Sequence, residues 1–534
     1  MGCLHANRLG AWVGAAVAAV TALAACAGSA SAQLRADEVL VVFDSRISDS
    51  AAVAQYYASV RPRVRALDLA STGAAATTPG DISYGDFVSR LRDPIRSHLT
   101  STGAIKTTRC IVLTKGLPHR IQDTDSPAAG DNPSTLVTEF NNNDINCASV
   151  DSELTLLWQN LNTGEAGGAT DSLSDGLIVN PYWRVRVPIS TYTTGFIQSA
   201  KVFGTTSPGP VRTIGGAGAT KLTPGDMVLV SRLDAPTVVQ VRAMIDRAQM
   251  IVYDTENDVI LLDASGSDNV ANPTANTELD NIGGAPFNAI YGGDDYEKTR
   301  DQMNADGRWL ASRVIYDQFG GQFYVGPRIE YQNVTVSVMQ PLALLATFGA
   351  NHGGTYPTTA AGASASNTYA ESFNYANGAI FNTIESYNGR AFGGLNAGGT
   401  NQEQASDFLA AGGTFAIGHV WEPLAATIPD NEQLAANFLR GRMTWAEAAW
   451  SSIGSLSWMH IVLGDPLATP WRTREDQRDD GAATVDDLAV WERRSPTDPL
   501  RNVNRAGAAD DTDRQIMLQS LRFGERGDLI NRRN

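Results

Sequence analysis

Lysine is nearly absent from this chain. Only five of its 41 basic residues are Lys, no long Lys/Arg run occurs, and the net charge is −16 with a pI of about 4.8. Binding nucleic acid needs a clustered basic surface for phosphate contacts, so that function class is disfavoured. Cysteine is equally sparse, with four residues at 3, 26, 110 and 147. No Cys-x-x-Cys, His-x-x-x-His or Gly-x-x-x-x-Gly-Lys occurs, so zinc hydrolysis and nucleotide chemistry lack a motif. Long apolar runs are missing too: no segment has 18 uninterrupted apolar residues, and a mature chain that spans a membrane is not expected. What is present is 534 residues, 43% of them hydrophobic. That is enough for a large core in two or three domains.

His5 and Arg8 precede a small-residue apolar run from Ala11 to Ala25, the pattern of a secretory signal. Two exits compete. Ala30-Ser31-Ala32 before Gln33 suits ordinary cleavage, giving a signal over 1–32, and Leu23-Ala24-Ala25-Cys26 resembles a lipobox in which Cys26 would carry a lipid anchor. Export to the periplasm, cell surface or medium is expected either way. An oxidising compartment would permit one bridge in the mature chain, Cys110 to Cys147, with a free buried Cys110 as the alternative.

The chain alternates short β-rich runs with helical patterns. Glu38–Phe43, Cys110–Thr114, Met227–Arg232, Ile251–Asp254 and Val259–Asp263 read as strands, and Ser50–Val60, Phe87–Leu99 and Pro236–Gln249 as helices. Asp234 is placed to cap the last of these. In a second stretch a helix is expected around Trp309–Phe319, strands at Val334–Val338, Leu342–Ala346, Gly378–Ile384 and Thr414–Gly418, and helices at Gln402–Ala411 and Asn431–Ser452. The pattern predicts an α/β fold with a mostly parallel sheet flanked by helices. The expected regions are 33–300, 301–471 and a tail over 472–534 that is rich in Arg and Asp.

Several phrases resemble those of an uncharacterised family of exported bacterial proteins. They are Ser48-Asp49-Ser50, Val112 to Pro118, Ala148 to Leu154, Ser231 to Asp234, and Ser457 through Pro466. The second half also resembles the gingipain-type cysteine peptidases, relatives of the caspases by fold. Those enzymes place His-Gly after one strand and a nucleophilic Cys after the next, and close on Gly-Asp-Pro. Here the motifs fall on His352-Gly353, on Ser386-Tyr387-Asn388-Gly389, and on Gly464-Asp465-Pro466. The resemblance implies a caspase/gingipain-like second half with His352 and Ser386 as the catalytic pair. Serine in place of cysteine departs from the family. A thiol is readily poised as thiolate, whereas a hydroxyl needs an aligned base, so the resemblance implies a degenerate body that binds peptide or protein, with a serine-dependent hydrolase as the rival. His419 and Glu422, at the carboxyl end of a strand, are further site candidates. His460 reads as a core histidine, and Asp465 as the cap of a turn before Pro466.

The tail holds two similar loops. Asp476, Asp480, Thr484 and Asp487 stand at positions 1, 5, 9 and 12 of a calcium loop, with Gly481 at 6 and Arg478 at 3. A second copy 26 residues later has Asn502, Asn504, Asp510 and Asp513 at positions 1, 3, 9 and 12. The pair resembles a degenerate dockerin, a small all-α module, which implies Ca2+ as cofactor, a cohesin-like partner and membership of a polysaccharide-degrading assembly as a third reading. An Asp-rich solvated linker is the alternative.

Overall fold

A computed structural model describes residues 33–121, 148–162, 178–192, 198–204, 213–214, 222–251, 253–263, 295–306, 309–317, 324–331, 336–347, 365–393, 404–421, 423, 427–440, 443–470, 475, 477–478, 484–503 and 508–522. The signal over 1–32, Cys147, His352, Glu422, Asp476, Asp480 and Asn504 lie outside the described residues.

The fold is α/β, built on one ten-stranded sheet. In chain order its strands are β1 Val39–Phe43, β2 Arg65–Asp68, β3 Cys110–Thr114, β4 Leu229–Leu233, β5 Val259–Asp263, β6 Val314–Asp317, β7 Leu342–Thr347, β8 Tyr375–Phe381, β9 Phe415–His419 and β10 His460–Leu463. Across the sheet the order is β6-β5-β7-β8-β9-β10-β4-β3-β1-β2. Strands β3, β4, β5 and β7 are buried along their whole length, which is why they read as near-continuous apolar runs rather than alternating ones.

Every pairing in this sheet is parallel except one, β9 with β10, where His419 faces His460. The two halves of the sheet therefore point in opposite directions. The carboxyl ends of β5 to β9 share one edge, and those of β1, β3, β4 and β10 share the other. Strand β5 precedes residue 300 in sequence, yet it sits between β6 and β7. A division near residue 300 thus does not divide the sheet.

Several local expectations change. Val314-Ile315-Tyr316-Asp317 is strand β6, and the helix lies upstream at Asp295–Asp306. The β-branched pair gains more from a slot beside β5 than a helix would offer it. Ile251, Tyr253 and Asp254 are buried but belong to no strand. Val336–Ser337 pairs with Tyr324–Val325 outside the main sheet. Asp234 does not cap a helix: Thr237 does, accepting from Gln240 N at 3.3 Å, while Asp234 pairs with Lys115 Nζ at 3.2 Å. Cys110 is a free buried thiol whose burial pushes its pKa well up, so it is no nucleophile.

The phrases that are scattered through the sequence meet in space. Arg232 and Asp151 form an ion pair at 2.7 Å with neither side chain exposed, and Arg232 also donates to the carbonyls of Leu117 and Pro118. Ser149 donates to His460 O, Ser152 Oγ accepts from Trp458 N, and Ser457 donates to Glu153. Asp465 is more than a turn cap: it accepts from Leu467 N, Tyr57 Oη, Arg61 and Gln249 while wholly buried. These contacts tie the Lys115–Ile121 segment and the helix Val150–Leu154 across the junction of the two halves.

In the tail, helices Val485–Arg493 and Asp511–Arg522 pack through Trp491, Val503 and Met517, a small core separate from the main one. Among the described residues no helix is long and apolar enough to cross a membrane.

Candidate functional site

Strands β7 and β8 are parallel neighbours. His352 follows the end of β7 by five residues, and Ser386 follows the end of β8 by five. Open α/β sheets build their sites outside such carboxyl ends. Ser386 stands at this end of β8, and His352 lies outside the described residues. Glu385, buried beside Ser386, accepts from Thr383 Oγ1 at 3.3 Å.

The Ser386 loop is fixed by backbone bonds to β9 and the residues after it. Tyr387 N donates to Trp421 O at 3.0 Å, Gly389 N to His419 O at 2.9 Å, and His419 N to Asn388 Oδ1 at 2.6 Å. Asn388 Nδ2 anchors the loop start through Thr383 Oγ1 at 3.2 Å. Contact this close demands glycine on both sides. A Cβ on Gly389 would lie 3.0 Å from His419 N, and one on Gly418 would lie 3.0 Å from Gly389 Cα. Tyr387 itself adopts φ +59°, a left-handed conformation uncommon outside glycine. Its backbone strain, next to Ser386, is of the kind that is retained where a side chain must be aimed.

His419 and His460 form a cross-strand pair at the antiparallel junction, with ring centroids 5.2 Å apart and edge to face. Both are fully buried. His419 Nδ1 lies 3.2 Å from Glu385 O and His460 Nε2 lies 2.8 Å from Thr427 O. Each ring thus has one nitrogen bonded to a carbonyl, while His419 Nε2 and His460 Nδ1 find no partner among the described residues. Burial lowers the pKa of His419 to about 4, against a smaller opposing effect of the Glu385 carbonyl. It also lowers His460 well below the usual range, with the neighbouring His419 adding to the effect. Both imidazoles are neutral at pH 7.

Residues that the sequence did not single out complete the surroundings. The segment after β3 doubles back across the junction and brings His119 and Arg120 to the Ser386 edge. His119 Nε2 lies 2.8 Å from Arg390 O, Arg120 Nη1 donates to the same carbonyl at 3.0 Å, and the His119 ring meets Phe392 edge-on at 5.0 Å. The Arg390 guanidinium lies over both the Tyr387 and Trp421 rings, each at 5.2 Å. Trp421 lies between two residues already under suspicion, His419 and Glu422, but nothing in the sequence pairs it with Arg390 or Arg120.

The chain is similar to gingipain R. One solved structure, of the pro- and mature domains of Porphyromonas gingivalis RgpB, has a TM-score of 0.37 at 11% identity and covers 80% of this chain and 78% of its own. A second, of the Arg-specific cysteine proteinase gingipain R, has a TM-score of 0.38 at 11% identity, covering 83% and 79%. No family model matches the chain, and no curated protein matches it. At those scores the fold rests on the strand order described above and not on the likeness.

In the tail, Thr484 and Asp487 form a capping box that opens the helix Val485–Arg493. Asp487 Oδ2 accepts from Thr484 N and Oγ1, and Oδ1 accepts from Arg478 N at 2.9 Å. The second copy repeats the pattern, with Asp513 Oδ2 accepting from Asp510 N at 2.8 Å and Asp510 Oδ1 from Thr512 N at 2.7 Å. Asn502, position 1 of this second copy, directly follows the short helix Pro499–Arg501. In the first copy both oxygens of Asp487 are committed and the Arg478 cation pairs with Asp486 at 2.9 Å, so its described residues fit a divalent cation poorly. Among the described residues no group of three or more His, Cys, Asp or Glu converges as a metal site.

Proposed function

We propose that the protein is exported and that its degenerate, gingipain-like body binds peptide or protein ligands at the Ser386 edge of the sheet without cleaving them. The observation that carries this reading is the Ser386–Arg390 loop. It is locked to β9 through the facing glycines, and it presents Tyr387 and Arg390 beside Trp421, an aromatic and cationic surface suited to recognition. The His119 and His419 rings beside it, and the His460 ring paired with His419, are buried and each bonded to a backbone carbonyl, which is a packing arrangement.

The test is degradation of an unstructured protein such as casein by the parent, His352→Ala and Ser386→Ala. No cleavage by any of the three is expected, while the parent retains peptide binding. Cleavage by the parent that is abolished in both variants would establish the rival hydrolase, in which His352 is the base and Ser386 the nucleophile.

A second reading concerns the tail, and the repeated helix starts favour it. Two helices with the same N-terminal carboxylate geometry, 26 residues apart from Asp487 to Asp513, match the spacing of a paired calcium-loop module. In this reading the second loop, with Asn502, Asn504, Asp510 and Asp513, takes Ca2+ and the tail docks a cohesin-like partner. Calcium should then raise the midpoint of a thermal transition monitored at Trp491. An unchanged midpoint at saturating calcium would remove the cofactor from the account.

A further inference from the structure

The chemistry of the ligand can be read from one charge that meets no carboxylate among the described residues. The chain carries 57 acidic residues against 41 basic ones, so an arginine here has carboxylates to spare. Arg120 takes one, with Nε 2.5 Å from Asp81 Oδ1. Arg390 takes none. Among the described residues its guanidinium is held by the rings of Tyr387 and Trp421 and by no acceptor. Arg120 stacks on the same indole, 5.2 Å from its centroid, so two guanidiniums share one ring system with a single carboxylate between them. The charge of Arg390 is one of the causes that lower the Arg120 pKa, after burial. A third donor belongs to the same indole: the Trp421 Nε1–H is buried and finds no acceptor among the described residues.

A buried or stacked donor without an acceptor is costly unless a ligand supplies one. A guanidinium held over aromatic rings can still donate its N–H groups to a planar, two-oxygen acceptor. We infer that Arg390, with the Trp421 indole N–H, is the anion-recognising subsite of the Ser386 edge, and that its ligand is a peptide carboxylate. The inference rests on the peptide-binding reading above and gives that ligand its chemical class. Tyr387, Trp421 and Phe392 supply apolar contact for the residues around the carboxylate, and Arg120 adds attraction at longer range.

The experiment is fluorescence anisotropy with three otherwise identical hexapeptides carrying an uncharged fluorophore. One has a central Asp and an amidated C-terminus, one a central Asn and an amidated C-terminus, and one a central Asn and a free C-terminus. A carboxylate-bearing peptide should bind about tenfold more tightly than the amidated Asn peptide, with the advantage shrinking at high salt. Gain in the Asp peptide assigns the carboxylate to a side chain, and gain in the free-ended peptide assigns it to a chain end. Arg390→Gln should bring the affinity ratio to about one, and Arg390→Lys should keep part of it. Equal binding of all three peptides by the parent would overturn the subsite and leave the peptide-binding reading standing. Failure of every peptide to bind would overturn both. The ratio in the parent decides the matter even if a variant folds poorly.

Discussion

Replacing Arg232 by Ala should destabilise the protein by about 3–5 kcal/mol, because it strands the Asp151 carboxylate in the core without its cation. Neither side chain of this pair is exposed, and Arg232 also satisfies the carbonyls of Leu117 and Pro118. Burial already pushes the Asp151 pKa up, with Arg232 as the main opposing influence. Removing the guanidinium raises it further and turns the carboxylate into a proton acceptor. The penalty in Arg232→Ala should therefore be larger at pH 8 than at pH 5, where a protonated Asp151 escapes most of the charge burial. The double variant Arg232→Met with Asp151→Leu should recover most of the loss, since an apolar pair of similar volume can replace a buried ion pair at little cost. Urea denaturation at the two pH values reads all three outcomes. A single variant within about 1 kcal/mol of the parent would show that the pair does not hold the junction.

The second large effect is acid sensitivity at the His419–His460 pair. The unfolded chain titrates His419 near its ordinary value of 6.5, whereas the folded chain holds it near 4. Above pH 6.5 both states leave the ring neutral, and nothing is gained or lost. Between 6.5 and 4 the unfolded state binds a proton that the folded state refuses, so stability falls with falling pH, by about 3 kcal/mol in total. His460 acts in the same direction. Asp407 acts in the opposite sense: burial, reinforced by Glu371, raises its carboxyl to about 7. The folded state therefore takes up that proton first on acidification. The imidazole contribution is isolated as the difference between the parent and His419→Gln. The variant is expected to be the less stable at pH 7.5 and to recover about 3 kcal/mol relative to the parent by pH 4. A difference that stays constant across that range would mean that the pair is not held neutral by the fold.

Much of the architecture could be read from local pattern. The runs Glu38–Phe43, Cys110–Thr114 and Val259–Asp263 are apolar over lengths too short for helices, and each is a strand apart from Glu38, which closes a short turn before the first. Ser48–Val60 buries Val53, Ala54, Tyr57 and Val60, the spacing of one helical face. These features depend on neighbours within a turn or a strand, and the sequence carries them directly. The Ser386 and His419 positions were also legible, since each follows a readable strand by a few residues or ends one. The repeated starts at Thr484 and Asp510 belong with them, as capping is a contact over three residues.

What the sequence could not hold is whatever joins distant segments. The helix expected around Trp309–Phe319 is a strand because β5, some 50 residues earlier, offers Val314 and Ile315 an open edge. Asp234 looks like a cap until Lys115 arrives from β3 to pair with it. The reversal at β9 and β10 has no local signal, since a strand carries its own direction but not that of its partner. Nor does the Arg120, Arg390 and Trp421 cluster, whose members come from the two halves of the chain and meet only because the segment after β3 crosses the junction. By itself the sequence determined the apolar strands of the sheet centre and the helices with a clear buried face, since backbone preference and short-range periodicity act over a few residues. The tertiary structure alone decided which strand ends share an edge and which charges go unanswered there, because burial and charge pairing are settled only when remote parts of the chain pack together.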